Sequence, residues 1–143
     1  MVKKWTLTAK KDRPSKVLAT HRGKVVSTYT LDRTYVHTYE LTGDYWQTRK
    51  VQPLGSIVAL DPTTQKVVPN YTAYNFGPLG VILHDVDATE ADQEVGVLVK
   101  GYAIEDRCWD NGDYGSITAA TKQALYPRII FVKVGGQGLK TIK

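Results

Sequence analysis

The sequence predicts a mainly β protein: a small antiparallel β-clip or barrel-like domain with one short helix and an extended N-terminal arm. Three observations carry that prediction. Apolar runs such as Ile57–Leu60, Leu79–Leu83 and Ile129–Val132 are short and are separated by turn formers such as Asp61-Pro62 and Asn111-Gly112. Val, Thr and Tyr, which favour pleated surfaces, dominate residues 24–41. A single helical pattern, from Ser116 to about Tyr126, is closed by Pro127.

The 143 residues fit one domain large enough for a core of its own. The expected organisation is a basic extended arm over residues 1–23 and a single β-rich domain over residues 24–143. The net charge of +5 is unevenly spread: residues 1–50 hold eleven Lys or Arg against four Asp or Glu, and residues 51–143 hold eight against ten. A basic leading segment suits a face that meets a polyanion or an acidic protein surface. No apolar run approaches the roughly 18 residues of a membrane span. The basic start, Met1 to Thr8, lacks the apolar stretch and cleavage site of a secretory signal, so no membrane partner and cytoplasmic synthesis are expected.

Within the arm, Trp5 and Leu7 alternate with Thr6 and Thr8, a strand pattern suited to adding an edge to another protein's sheet. Residues 24–41 read as a hairpin turning near Leu31-Asp32-Arg33-Thr34, with Tyr35, His37, Tyr39 and Leu41 on one face of its second strand. Ile57–Leu60 and Lys66–Pro69 form the next strand pair around a polar turn. Asn70 to Pro78 reads as an aromatic-rich loop. Leu79 to His84 is a core strand in which Gly80 marks a close backbone approach or a bulge. Glu94 to Ile104 is the longest strand, apolar on both faces and so expected centrally or at a subunit contact. Ser116 is the expected N-cap of the helix, and Ile117, Ala120 and Ala124 are its expected buried face. Ile129 to Val134 is the last strand.

Candidate chemistry is sparse. The single cysteine, Cys108, excludes an internal disulfide and reads as a small buried hydrophobe; a catalytic thiol would need His21, His37 or His84 beside it. His37 reads as a residue on a half-buried strand. The acidic group Asp85, Asp87, Glu90, Asp92 and Glu94 lacks the glycine and glutamate offsets of a calcium loop and reads as an exposed connector. Glu105 and Asp106 beside Arg107 read as a structural ion pair. Nucleophile elbow, phosphate loop, dinucleotide fingerprint and zinc spacing are all missing from the sequence. The expectation is therefore no enzyme, no cofactor and no metal. Lys and Arg interleaved with Trp5, Tyr29, Tyr35, Tyr39, Tyr45 and Trp46 keep a small β-barrel nucleic-acid module open as the alternative.

Pro53-Leu54 with Ala59-Leu60-Asp61, Thr64 to Val68, Gly80 to Leu83, Val97 to Gly101, Ile104-Glu105-Asp106 with Trp109, and Ala124-Leu125 with Ile129 to Val132 occur in an order that resembles the phage head decoration proteins of the lambda type. The resemblance covers about residues 51–134. It implies a virion structural protein that binds the outside of the expanded phage capsid as trimers at three-fold sites and stabilises the shell against internal DNA pressure. The implied partners are the major capsid protein and two further copies of the chain, and the implied location is the outer capsid surface. Family arms extend a coat-protein sheet, which makes Lys3, Lys4, Trp5, Leu7, Lys10, Lys11 and Arg13 the expected capsid-binding arm and residues 2–20 the segment whose removal is expected to weaken attachment. This chain departs from the family in its longer, basic, tyrosine-rich front. Tyr102 and Trp109 are the candidate subunit or shell contacts, with ordinary core packing as the other reading.

Overall fold

A computed structural model of the chain describes residues 5–7, 17–36, 38–41, 47–70, 76–110 and 117–133. Among these the protein is mainly β, with a closed five-stranded barrel, an added strand and one helix. The barrel strands are β2 (Val25–Leu31), β5 (Ile57–Leu60), β6 (Val67–Pro69), β7 (Pro78–Ile82) and β9 (Gln93–Ile104). They close in the order β9–β2–β6–β5–β7 and back to β9. The twelve-residue β9 has neighbours on both edges, which answers the expectation of a central strand.

Every second residue of the barrel points inward, and the inner set comes from all five strands: Leu31, Val58, Val67, Ile82, Val95 and Val97 are buried together. The intervening residues Ile57, Val81 and Leu98 belong to a second cluster with Ile117, Leu125 and Ile129. This second core lies between the outer wall of the barrel and the helix α1 (Ala119–Leu125), which packs on β7 and on β10 (Ile129–Val132). Two buried faces explain why β5 and β7 read as unbroken apolar runs instead of alternating ones.

A second sheet has the order β1–β3–β4–β8, formed by β1 (Trp5–Leu7), β3 (Thr38–Leu41), β4 (Gln47–Gln52) and β8 (Val86–Asp87). It corrects the expected 24–41 hairpin. β2 pairs with β9, whereas β3 pairs with β4 and β1, so the two strands lie in different sheets. The turn between them is where the sequence puts it, but it is tied to distant parts of the chain. Asp32 accepts from the Thr34 amide at 3.0 Å and its own amide donates to Val67 O at 3.0 Å. The Arg33 guanidinium donates to Ala88 O at 3.2 Å and Thr89 O at 2.7 Å, and its amide donates to Asp92 Oδ1 at 2.9 Å. These bonds steer the chain out of the barrel before it can fold back on β2.

Three further expectations change. The arm does not extend to residue 23: Val17 is 1% exposed, Leu18 bridges Ala103, and Ile104 N and Ala19 N bond to Val17 O and Tyr102 O. The helix is capped by Thr118, whose hydroxyl accepts from the Thr121 amide at 3.2 Å; Ser116 lies outside the described residues. Its buried residues are Thr121 and Leu125, with Ala120 and Ala124 exposed, because Ile117, Thr121 and Leu125 recur at the four-residue spacing that faces the barrel. Pairing is also less uniformly antiparallel than expected: β10 runs parallel to β9, β1 to β3, and β2 meets β6 in parallel at Leu31 and Val67.

Candidate interaction surface

The barrel has two chemically different ends. β2 and β9 run antiparallel, with Val25 opposite Lys100 at one end and Leu31 opposite Gln93 at the other, about 20 Å apart at strand rise. The β8 strand, the connector from it to β9 and their flanks occupy the Leu31 end and carry the acidic group. Three of these acids, Asp85, Asp87 and Asp92, have partners within the chain. Asp92 accepts from Lys66 Nζ at 2.7 Å and from the Arg33 amide, which hold its carboxyl below the usual range. Partial burial pulls the Asp87 carboxyl up, but hydrogen bonds from Thr89 and Arg49 outweigh it and leave the group lowered. Arg49 Nη2 lies 2.7 Å from Asp87 Oδ2. Asp85 accepts from the Leu54 amide at 2.7 Å. The connector is thus built into the fold as a brace between the barrel and the second sheet.

The opposite end is cationic. Arg22 and Gly23 form one wall of a groove of about 210 Å3, Pro127, Arg128 and Ile130 form the other, and Lys100, Gly101 and Tyr102 lie between them. Gly101, at φ +146, adopts a backbone conformation closed to most side chains where β9 passes from pairing with β2 to pairing with β10. Arg128 Nη1 donates to Leu79 O at 3.1 Å and Val99 O at 3.2 Å, so its guanidinium is fixed in place by neutral acceptors. Among the described residues no carboxylate lies within ion-pair distance of Arg22, Lys100 or Arg128. Lys24, beside this end, has its Nζ 3.1 Å from Nδ1 of the His21 ring. Exposed apolar side chains border the groove in sequence: Val25 and Val26 follow Lys24, and Tyr126 precedes Pro127.

Of the residues singled out from the sequence, Tyr102 lies in this groove and is 39% exposed. Trp109 is buried, with its amide bonded to Gly55 O and its carbonyl to Ile57 N, so it is part of the body of the monomer. Trp5 and Leu7 are in β1, which pairs in parallel with β3 of the same chain. Lys3, Lys4, Lys10, Lys11 and Arg13 lie outside the described residues, as does His37. Arg22, Lys100 and Arg128 were not singled out, and no local signal marks them: they are 78 and 28 residues apart and meet only through strand pairing.

Cys108 and Asp110 are both engaged within the fold. Cys108 is fully buried, donates to Ile104 O at 3.4 Å, and burial pushes its thiol far up, reinforced by Glu105, Asp110 and Asp106. Asp110, 4% exposed, is raised by burial although it accepts hydrogen bonds from Thr121 at 3.1 Å and Asn70 at 3.4 Å, and it joins the helix to the strand pair β5–β6. No cluster of three or more His, Cys, Asp or Glu suited to a metal ion occurs among the described residues. Among the same residues, no helix is long and apolar enough to cross a membrane. The accessible groove at the Val25 end sets three cations around an apolar floor.

No protein-family model matches the chain, and no curated protein is significantly similar to it.

Proposed function

We propose that the chain is a virion structural protein that binds the outside of an expanded phage capsid as trimers at three-fold sites and stabilises the shell against internal DNA pressure. The observation that carries this reading is the placement of the segments on which the family resemblance rests. Strands β5, β6, β7 and β9, the helix α1 and β10 fall within residues 53–132 and make up most of the barrel, the helix layer and the added strand. A body of this kind suits contact. Its thiol is buried and raised, and most of its clustered acids brace the fold. Contact repeated by three-fold symmetry gains avidity from several modest attachments. The basic residues in positions 1–23 and the cationic end of the barrel suit an acidic shell surface.

The alternative is a small β-barrel nucleic-acid module, favoured by the same cationic groove with Tyr102 in it. One experiment separates the two. The purified protein is sedimented with DNA-free expanded heads and, in parallel, with single-stranded and duplex DNA over a salt series. Saturation near three copies per three-fold site is the expected result; retention on DNA with a steep salt slope and no capsid binding would transfer the assignment to the nucleic-acid module. Removal of residues 2–15, which also takes β1 from the edge of the second sheet and leaves the barrel whole, is expected to weaken capsid attachment. The deletion stops short of Val17 because Val17, Leu18 and Ala19 pair with β9 and belong to the body.

A further inference from the structure

Beyond the positive charge that the decoration reading uses, the groove at the cationic end has a definite shape and floor. Its three cations stand around one compact depression and do not form a track along the barrel, while Gly101, Tyr102, Pro127 and Ile130 give it an apolar interior. One of the cations, Arg128, is held in place by two backbone carbonyls, so its charge is positioned before any ligand arrives. A nucleic-acid strand needs a longer run of phosphate contacts and successive aromatic platforms, and among the described residues Tyr102 is the one aromatic lining this groove. Two segments of this chain are poor occupants on charge: positions 8–16 carry Lys10, Lys11, Arg13 and Lys16 against Asp12, and positions 134–143 carry Lys140 and Lys143 with no acid.

We infer that this groove is a docking site for an acidic peptide segment of another protein, with one apolar side chain laid against Tyr102, Pro127 and Ile130 and flanking carboxylates reaching Arg22, Lys100 and Arg128. The charges supply orientation and the apolar floor supplies burial. The inference stands on the groove alone and holds whether or not the chain decorates a shell.

The test follows the backbone amide spectrum of the isotopically labelled full chain during titration with a capped peptide of sequence Glu-Glu-Leu-Glu-Glu, its glutamine counterpart, and a short oligothymidylate. The glutamate peptide is expected to shift the amides of residues 22–24, 100–102 and 128–130, and to bind more tightly than the glutamine peptide. Replacing Arg22 and Lys100 together by Ser removes two exposed charges and should weaken binding about fivefold to tenfold with the thermal midpoint unchanged. Tyr102→Ser should weaken both peptides equally, because it removes floor and no charge. The inference is overturned by equal affinity for the two peptides, by shifts confined to other residues, or by no shift at millimolar peptide. It is likewise overturned if the oligothymidylate binds the groove more tightly, which would favour nucleic acid, or if the same amides shift with protein concentration alone, which would make a second copy the occupant.

Discussion

Gly80 and Leu98 meet where the barrel closes: a Cβ built on Gly80 would lie 2.2 Å from the Leu98 carbonyl oxygen and 2.8 Å from a methyl group of Val97. The contact belongs to the β7–β9 pairing that converts a curved sheet into a closed barrel, and the register of β5 against β7 shifts beside it, between Val58 and Ala59. Backbone oxygen cannot rotate away from an added methyl group, so β7 would have to move off β9.

Gly80→Ala is therefore expected to cost about 3 kcal/mol, more than a typical overpacking change because the neighbour is main chain. Gly77→Ala is the control. It sits at φ +83 with open space around a Cβ, and only the conformational cost of about 1 kcal/mol applies. Chemical denaturation of both variants checks the difference, and equal costs would remove the argument for a tight closure.

Asp92 links the connector to both Lys66 and Arg33, and its folded-state pKa is lowered first by the Lys66 hydrogen bond and then by the Arg33 amide. A carboxyl lowered on folding contributes stability that is fully present above its unfolded value, near pH 4, and is lost as pH falls through the folded value. Thermal midpoints should thus drop as the protein is acidified below about pH 4, and Asp92→Asn should flatten that part of the profile. A variant profile parallel to the wild type would show that the bridge contributes nothing.

Leu125 is fully buried on a helix of seven residues, too short to persist without packing. Leu125→Ala should cost about 2–5 kcal/mol, against roughly 0.5 kcal/mol for Ala124→Ser on the exposed face. Urea denaturation distinguishes this from the face expected from the sequence, in which Ala124 would be the sensitive position.

Cys108 should resist Ellman's reagent in the native protein at pH 8, reacting only at the rate of opening, because burial both covers the sulfur and raises the thiol. Prompt stoichiometric labelling under native conditions would contradict the buried position and reopen a reactive-thiol reading.

Much of the strand content was legible because it is a local property. Ile57–Leu60, Val67–Pro69 and the long run ending at Ile104 were readable from β-branched composition and turn residues, and the close approach at Gly80 from a glycine placed in an apolar run. The helix was readable from Pro127, but its buried face was not. Two alanines at suitable spacing suggested one face, while Thr121, a polar residue satisfied by Asp110 at 3.1 Å, shares the true one with Leu125. Composition alone gives no warning that a buried threonine has found its partner eleven residues earlier.

The candidate site was legible only in part. Tyr102 stood out as a large aromatic residue near a turn, but the cations around it come from three segments. Their meeting depends on β9 pairing with β2 on one edge and β10 on the other.

By itself, then, the sequence determined that this is a mainly β protein with one helix, an uneven charge distribution and no local catalytic motif, because propensity, turn chemistry and composition act over a few neighbouring residues. The tertiary structure alone decided that β2 and β3 part company into different sheets, that the acidic connector is a brace, and that Arg22, Lys100 and Arg128 surround one groove. Those outcomes depend on pairings between residues tens of positions apart, where the free energy of closure is shared over the whole barrel and no single segment encodes it.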